Sequence, residues 1–374
     1  MTTERKELKA AVIGLGGMGR RHIAALDALS AHGVGVRLAG ICDMNLDVAR
    51  ELAAARADGE QDGQQAGPLA VSDWRELVSA GAAAGVDLLC IATNGPSHHE
   101  IVLAAAAAKI PFVLCEKPMS TSGAKAREMA SACEAAGTRL AVNLCRRFLT
   151  RCLMFRQAMR DDLVVGRPRR FWGLIGGGGV GCVGLHYFDY AAWLFDARPV
   201  WVSAELTQNP APNVRGAQFC DPGGQVSVGF ECADGHRFVG DFELSEDVPR
   251  ASRCLVIGTE GVAEFDDLTP PPLGRASASA RPMDQRHVAK TRLVQPESVP
   301  MDQGPALDIV QATRDCLLDL VGAYAFPTIP HSTVQAGIES VDVVLGAHLS
   351  SQWGGARVAL PLTGEALSLD VPIT

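Results

Sequence analysis

The chain has 374 residues, 47% hydrophobic and 20% charged, which supplies a large apolar core and a length that favours two domains over one. A formal net charge of -8 provides no broad positive field for a nucleic-acid backbone, so nucleic acid is excluded as a partner. No window reaches the roughly 20 consecutive apolar residues of a membrane-spanning helix. The charged opening MTTERKELKA lacks the apolar stretch and small-residue cleavage site of a signal peptide, and a cytoplasmic location is expected.

From the start to about residue 143, short apolar runs alternate with Ala-rich helical stretches. The runs are Leu8 to Ile13, Val36 to Cys42, Leu69 to Val71, Val86 to Ala92, Phe112 to Cys115 and Leu140 to Val142. Continuous rather than alternating hydrophobicity marks strands buried on both faces. Strand, helix, strand repetition then predicts a doubly wound parallel sheet with right-handed crossovers, a Rossmann domain over residues 1–143. The stretch Ala57 to Pro68, rich in Gly, Gln and Asp, reads as a surface loop.

Beyond it the pattern changes, and residues 144–374 are expected to form an α+β domain on a large, mainly antiparallel open sheet. Strand-like runs occur at Gln225 to Phe230, Arg237 to Leu244 and Arg253 to Ile257, with Asp234-Gly235 as a hairpin signal between the first two. Leu268 to Gln303 has no periodicity and is expected to be a long loop. Val334 to Trp353 is helical in pattern, and Val358 to Leu362 resembles a final strand. Eleven cysteines include no C-x-x-C pair; Cys42, Cys90 and Cys115 sit in or at the ends of apolar runs, as small hydrophobes would, and no metal site is expected.

Gly14-Leu15-Gly16-Gly17-Met18-Gly19 follows an apolar strand and opens a helical run, the context a dinucleotide fingerprint requires. The first glycine permits the tight turn, the second lets backbone approach a pyrophosphate, and the third allows close helix-to-strand packing. The helix N-terminus offers N–H groups and a positive dipole end to phosphate. Asp43 closes the second strand, where a carboxylate accepts hydrogen bonds from the adenosine ribose and repels a 2'-phosphate; it also suits a helix N-cap. That favours NAD, while Arg20 and Arg21 nearby keep NADP open. Ala92-Thr93-Asn94 ends the fourth strand and Glu116-Lys117 the fifth, at the carboxyl edge where ligands bind, and His98 follows at a helix start. Lys117 there is either a substrate-orienting ammonium or a solvated surface lysine.

The combination of GLGGMGRRH, IATNGPSHHE, VLCEKPMS, NLCRRF at 143–148 and GLHYFDYAAWL resembles the Gfo/Idh/MocA oxidoreductases, the glucose-fructose oxidoreductase and inositol dehydrogenase group, over nearly the whole chain. The resemblance implies hydride transfer between a nicotinamide cofactor and a sugar, polyol or related hydroxyl or keto substrate. It further implies a homodimer or homotetramer through the C-terminal sheet and a cis Lys117-Pro118 peptide. Lys117 would polarise the reacting oxygen, and His186, in the D-x-x-x-H position, would exchange its proton. Gly14, Gly16, Gly17, Met18, Gly19, Asp43, Ala92, Thr93, Asn94, His98, Glu116 and Lys117 are expected at the cofactor.

Departures from the family pattern keep other readings open. Cys182 stands where dehydrogenases of the family often carry the motif's aspartate, leaving Asp189 as a substitute carboxylate for His186. Phe171 to Val180 reaches its glycine run quickly and omits much of the substrate loop of many relatives. Arg146 and Arg147 suit either an anionic substrate group or a salt bridge. An NAD-recycling lyase or glycosidase, or a non-catalytic NAD(P)-dependent sensor on the same fold, are the alternatives to a dehydrogenase.

Overall fold

A computed structural model describes residues 7–57, 67–160, 165–213, 215–266, 276–280, 299–301, 307–323 and 332–373. The chain divides into two compact units, Met1–Cys145 with Ile309–Ile338, and Arg146–Asp308 with Glu339–Thr374. A division at 143/144 does not anticipate the second segment of the first unit.

In the first unit six strands alternate with helices: β1 (Leu8–Ile13), α1 (Gly17–Asp27), β2 (Val36–Cys42), α2 (Leu46–Ala57), β3 (Leu69–Val71), α3 (Trp74–Ala84), β4 (Leu88–Ile91), α4 (Gly95–Ala107), β5 (Phe112–Cys115), α5 (Gly123–Ala136) and β6 (Arg139–Val142). All pairings are parallel and the order is β3-β2-β1-β4-β5-β6, the Rossmann arrangement, with the switch between β1 and β4. Val12 and Ile13 of β1, and Leu88 to Ile91 of β4, are buried, as a sheet covered on both faces demands. Helix ends follow local chemistry: α5 stops at Gly137, whose φ of 73° supplies the left-handed cap through which its N–H closes on Glu134.

The returning helix α8 (Ile309–Leu320) packs on α1 and completes this unit. Its buried face presents Ala312, Thr313, Cys316 and Leu317.

The second unit opens with α6 (Thr150–Arg160), and its sheet holds β7 (Pro168–Gly176), β8 (Ala197–Leu206), β9 (Gly224–Cys232), β10 (Arg237–Ser245), β11 (Ala251–Gly258), β12 (Gly261–Phe265), β13 (Ala276–Ala280), β14 (Val299–Met301) and β15 (Val358–Ala359). Their order is β14-β13-β12-β11-β7-β10-β9-β8-β15, antiparallel except for the β7/β10 pair. β13 and β14 correct the expectation of a bare loop: a run of Ala and Ser has no alternation to read, yet its backbone pairs with β12. The rest of that expected loop, and most of the one at Ala57 to Pro68, lie outside the described residues. The final strand is shorter than expected, ending before a cis Leu360-Pro361 peptide.

Alternation along β7 sends Phe171 and Ile175 to one face and Trp172 and Leu174 to the other. The inner face packs on α7 (Leu185–Leu194), where Phe188 meets Phe242 at 4.9 Å and Tyr190 meets Phe265 at 5.5 Å. Truncating such a fully buried ring to alanine costs about 3–5 kcal/mol. Helix α9 (Val334–Gln352) crosses the boundary between the two units' segments, with Gly337 against Val142 and Met119 and Gly346 against Val202.

Candidate active site

The glycine loop joins β1 to α1, and its four glycines divide the work. Gly14 holds φ at +87°, and a Cβ there would stand 2.7 Å from the Ala92 carbonyl oxygen. A Cβ on Gly19 would stand 1.8 Å from the Gly14 oxygen, so only glycine lets α1 start this close to the strand. Gly16 and Gly17 are the reverse, with nothing within 4 Å of where a Cβ would be. Gly16 caps α1 without a side-chain hydrogen bond, which leaves the helix N-terminus bare toward that space. The Met18 sulfur accepts from Arg21 at 3.3 Å on the exposed side of the helix.

Asp43 stands beside this loop. Its Oδ2 accepts from the Leu15 N–H at 2.9 Å and its Oδ1 from the Asn45 N–H at 3.0 Å, so one carboxylate braces the glycine loop and turns the chain toward α2. Each oxygen keeps a further lone pair. An open helix terminus for phosphate and a carboxylate at the end of β2 for ribose hydroxyls fit NAD.

The carboxyl ends of β4 and β5 form the adjoining edge of the same unit. Ala92 donates its N–H to Ile13, Thr93 accepts from Ser97 through its hydroxyl at 2.8 Å, and Asn94 caps α4. His98 is fully buried between the two strand ends, with Nδ1 2.8 Å from the Pro118 carbonyl oxygen and Nε2 3.0 Å from that of Thr93. The Lys117-Pro118 peptide is cis, as the family resemblance implies, and Lys117 is half-buried.

Glu116 points into the interior instead. Its Oε1 accepts from His22 Nε2 at 2.8 Å and from Asn143 Nδ2 at 2.7 Å, and Asn143 Nδ2 lies 3.3 Å from the Thr313 hydroxyl. Its Oε2 accepts the Lys117 backbone N–H at 3.2 Å. Burial opposes ionisation of Glu116, but the bonds from His22 and Asn143 outweigh it and hold the carboxyl below its usual range. This cluster ties α1, the ends of β5 and β6, and α8 together, and through Glu116 Oε2 it reaches the Lys117 backbone. Sequence reading placed Glu116 at the cofactor because it ends a strand, and missed His22, Asn143 and Thr313 as its partners because they are dispersed along the chain.

In the second unit, His186 sits half-buried on the first turn of α7, preceded by a π-helical turn, Val180–Gly184. Cys182 lies four residues earlier, with its sulfur 3.4 Å from Arg215 Nη1. Asp221 organises this turn: its carboxylate accepts the backbone N–H groups of Gly179, Gly181 and Cys182 at 3.1, 2.6 and 3.1 Å. Nothing in the local sequence of Asp221 singles it out, since its partners lie about 40 residues away.

Asp189, expected as a substitute carboxylate for His186, is gripped by Arg147, which reaches Oδ1 at 2.6 Å from Nη2 and Oδ2 at 3.0 Å from Nε. The pair is buried and ties the start of this unit to α7. Of the two roles open to Arg147, the structure shows the ion pair. Arg146 is buried as well, its guanidinium stacked 4.2 Å from the Tyr187 ring centroid. Among the described residues no group of acidic, His and Cys side chains is arranged to hold a metal ion, and no helix is long and apolar enough to cross a membrane.

Fold, glycine loop and acidic strand end together define a dinucleotide-binding α/β protein with a separate second unit. Residues 8–144 match the model of an oxidoreductase family with an NAD-binding Rossmann fold, and residues 148–264 match the GFO/IDH/MocA C-terminal domain. The chain belongs to the Gfo/Idh/MocA oxidoreductase family and uses NAD. It is 28% identical over 275 residues to an inositol 2-dehydrogenase of Acidiphilium cryptum, an alignment covering 70% of this chain and 74% of the relative. A D-apiose dehydrogenase of Paraburkholderia graminis is 32% identical over 174 residues, 46% of this chain and 41% of the relative. Among solved structures, levoglucosan dehydrogenase in complex with NADH and levoglucosan shares the fold with a TM-score of 0.71 at 20% identity, over 96% of this chain and 100% of that one.

Proposed function

We propose that this protein is an NAD-dependent dehydrogenase of a sugar or polyol hydroxyl, with Lys117 and His186 as its catalytic residues. The observation that carries the reading is an ammonium-bearing residue at the carboxyl end of β5, on the sheet edge shared with the open glycine loop and braced through its backbone N–H by Glu116. Dehydrogenases of inositol and D-apiose among the relatives support the substrate class.

The nicotinamide ring, when bound, exchanges the hydride, which no side chain can supply. Lys117 Nζ donates a hydrogen bond to the reacting oxygen and favours the form in which negative charge gathers there. A ring nitrogen of His186 takes the hydroxyl proton in the oxidative direction and returns it in the reverse. Cys182 supplies no carboxylate to that imidazole, and the turn that leads into the His186 helix is held by Asp221.

Lys117→Ala should lower kcat by about two to three orders of magnitude, the loss expected when a preorganised donor to the reacting oxygen is removed. Its NADH dissociation constant, read by nucleotide fluorescence, should stay within threefold of wild type. Undiminished turnover of an inositol or pentose substrate by that variant rejects the assignment.

A homodimer or homotetramer through the large sheet is part of the proposal. Its outer face carries Trp172, 45% exposed, and Leu174 on β7, with Ile257 on β11 and Val262 on β12, an apolar patch of the kind that marks a protein interface. A cytoplasmic location is likewise part of the proposal.

A further inference from the structure

The mechanism leaves several buried titratable side chains of the first unit unused, and one of them stands at the strand ends. His98 is fully buried at the start of α4, yet both its ring nitrogens meet backbone carbonyl oxygens, Pro118 at 2.8 Å and Thr93 at 3.0 Å. Those carbonyls belong to the two strand ends that flank the site, and Pro118 directly follows Lys117. A neutral imidazole has a single N–H for two acceptors. Burial, joined by the nearby Lys117 charge, pushes His98 toward that neutral form against the pull of the two carbonyls. The shorter of the two contacts is the one at Nδ1.

We propose that His98 is a positioning residue: its Nδ1–H anchors the Pro118 carbonyl and thereby fixes the backbone that carries the Lys117 ammonium. The alternatives are a histidine that only fills space, or one that touches the cofactor. Neither needs a donor aimed at Pro118. Lys117 is thus braced on both sides, through its own N–H by Glu116 and through the next residue by His98. The inference rests on the catalytic reading of Lys117, but its tests do not all depend on it.

Asparagine and glutamine separate the two contacts, because an Asn amide nitrogen reaches roughly where Nδ1 sits and a Gln amide nitrogen roughly where Nε2 sits. His98→Asn should keep kcat within about threefold of wild type. His98→Gln and His98→Ala should lose at least tenfold in kcat, with KM for the hydroxyl substrate and the NADH dissociation constant nearly unchanged. Lys117, mapped by mass spectrometry during acetic anhydride labelling, should change its acetylation rate relative to exposed Lys109 in the Gln and Ala variants and not in the Asn variant. Equal kcat losses in all three variants, tracking lost thermal stability, would mean a packing role and overturn the proposal; so would a His98→Gln enzyme as active as His98→Asn.

Should the variants fail to fold, nitrogen-15 NMR of wild-type imidazoles decides the matter, since the proposal requires the Nδ1–H tautomer and an Nε2–H tautomer overturns it. Failure of the Lys117 reading looks different: Lys117→Ala would then keep turnover while the tautomer and labelling results stand.

Discussion

Asn143 donates its side-chain amide to Glu116 Oε1 at 2.7 Å, joining the last strand of the parallel sheet to the residue before Lys117. Removing that donor leaves a buried carboxylate with one fewer partner, at a cost of about 1.5–3 kcal/mol for a bond to a charged group. Asn143→Ala should lower the denaturation midpoint accordingly. It should also reduce kcat more than NADH affinity, because the glycine loop keeps its own supports; urea unfolding and nucleotide fluorescence measure the two effects.

Arg147 and Asp189 should behave as a buried ion pair. Breaking it with Arg147→Ala strands the carboxylate and is expected to destabilise by about 3–5 kcal/mol. Replacing both partners, as in Arg147→Met with Asp189→Leu, should recover much of that loss, since desolvation of two charges disappears with them. Comparing the three chains by chemical denaturation checks the sign of the recovery.

Gly19→Ala should abolish NADH binding or folding, because its Cβ meets the Gly14 oxygen far inside van der Waals distance. Gly17→Ala places its methyl in open space, so the chain should fold normally. Weaker NADH binding with an unchanged melting temperature in Gly17→Ala would confirm that this space receives the pyrophosphate.

Asp43→Ala removes the brace on the Leu15 N–H and the acceptor for ribose together. An increase of at least tenfold in the NADH dissociation constant is expected, with a smaller change for NADPH, which lacks the free 2'-hydroxyl. Competitive binding of the two nucleotides reads the ratio.

Acid should weaken the fold in two windows. Burial lowers His348 from 6.5 to about 4, and its Nε2 has no partner among the described residues. Between those values the unfolded chain binds a proton that the folded chain refuses, so stability rises with pH across the window and is lost as pH falls through it, by up to about 3 kcal/mol. His348→Gln should flatten that slope in denaturation curves taken from pH 7 to 4. Glu116 acts lower: its depressed carboxyl adds stability above about pH 4.3, which disappears as acidification reaches the folded-state value.

The parallel sheet was legible because strands covered on both faces must be continuously apolar, and β1, β2, β3 and β5 match their expected runs residue for residue. The glycine loop could be read because Gly14 and Gly19 answer backbone requirements while Gly16 and Gly17 leave open space at the helix start. Side-chain direction at strand ends could not. Glu116 and Lys117 are adjacent, and only packing by His22 and Asn143 decides that the first turns inward. The partner of Asp189 escaped for the same reason: Arg147 lies 42 residues away, and an acidic residue near a histidine suggests a local pairing that the folded chain does not make.

The return of Ile309–Ile338 to the first unit has a consequence for biosynthesis. On the ribosome, the nucleotide-binding segment emerges first, yet the outer side of α1 and the Asn143 side chain wait for Thr313 and its helix, translated more than 160 residues later. A nascent chain halted after β6 should expose apolar surface and invite chaperones, so synthesis and maturation of this domain are separated in time.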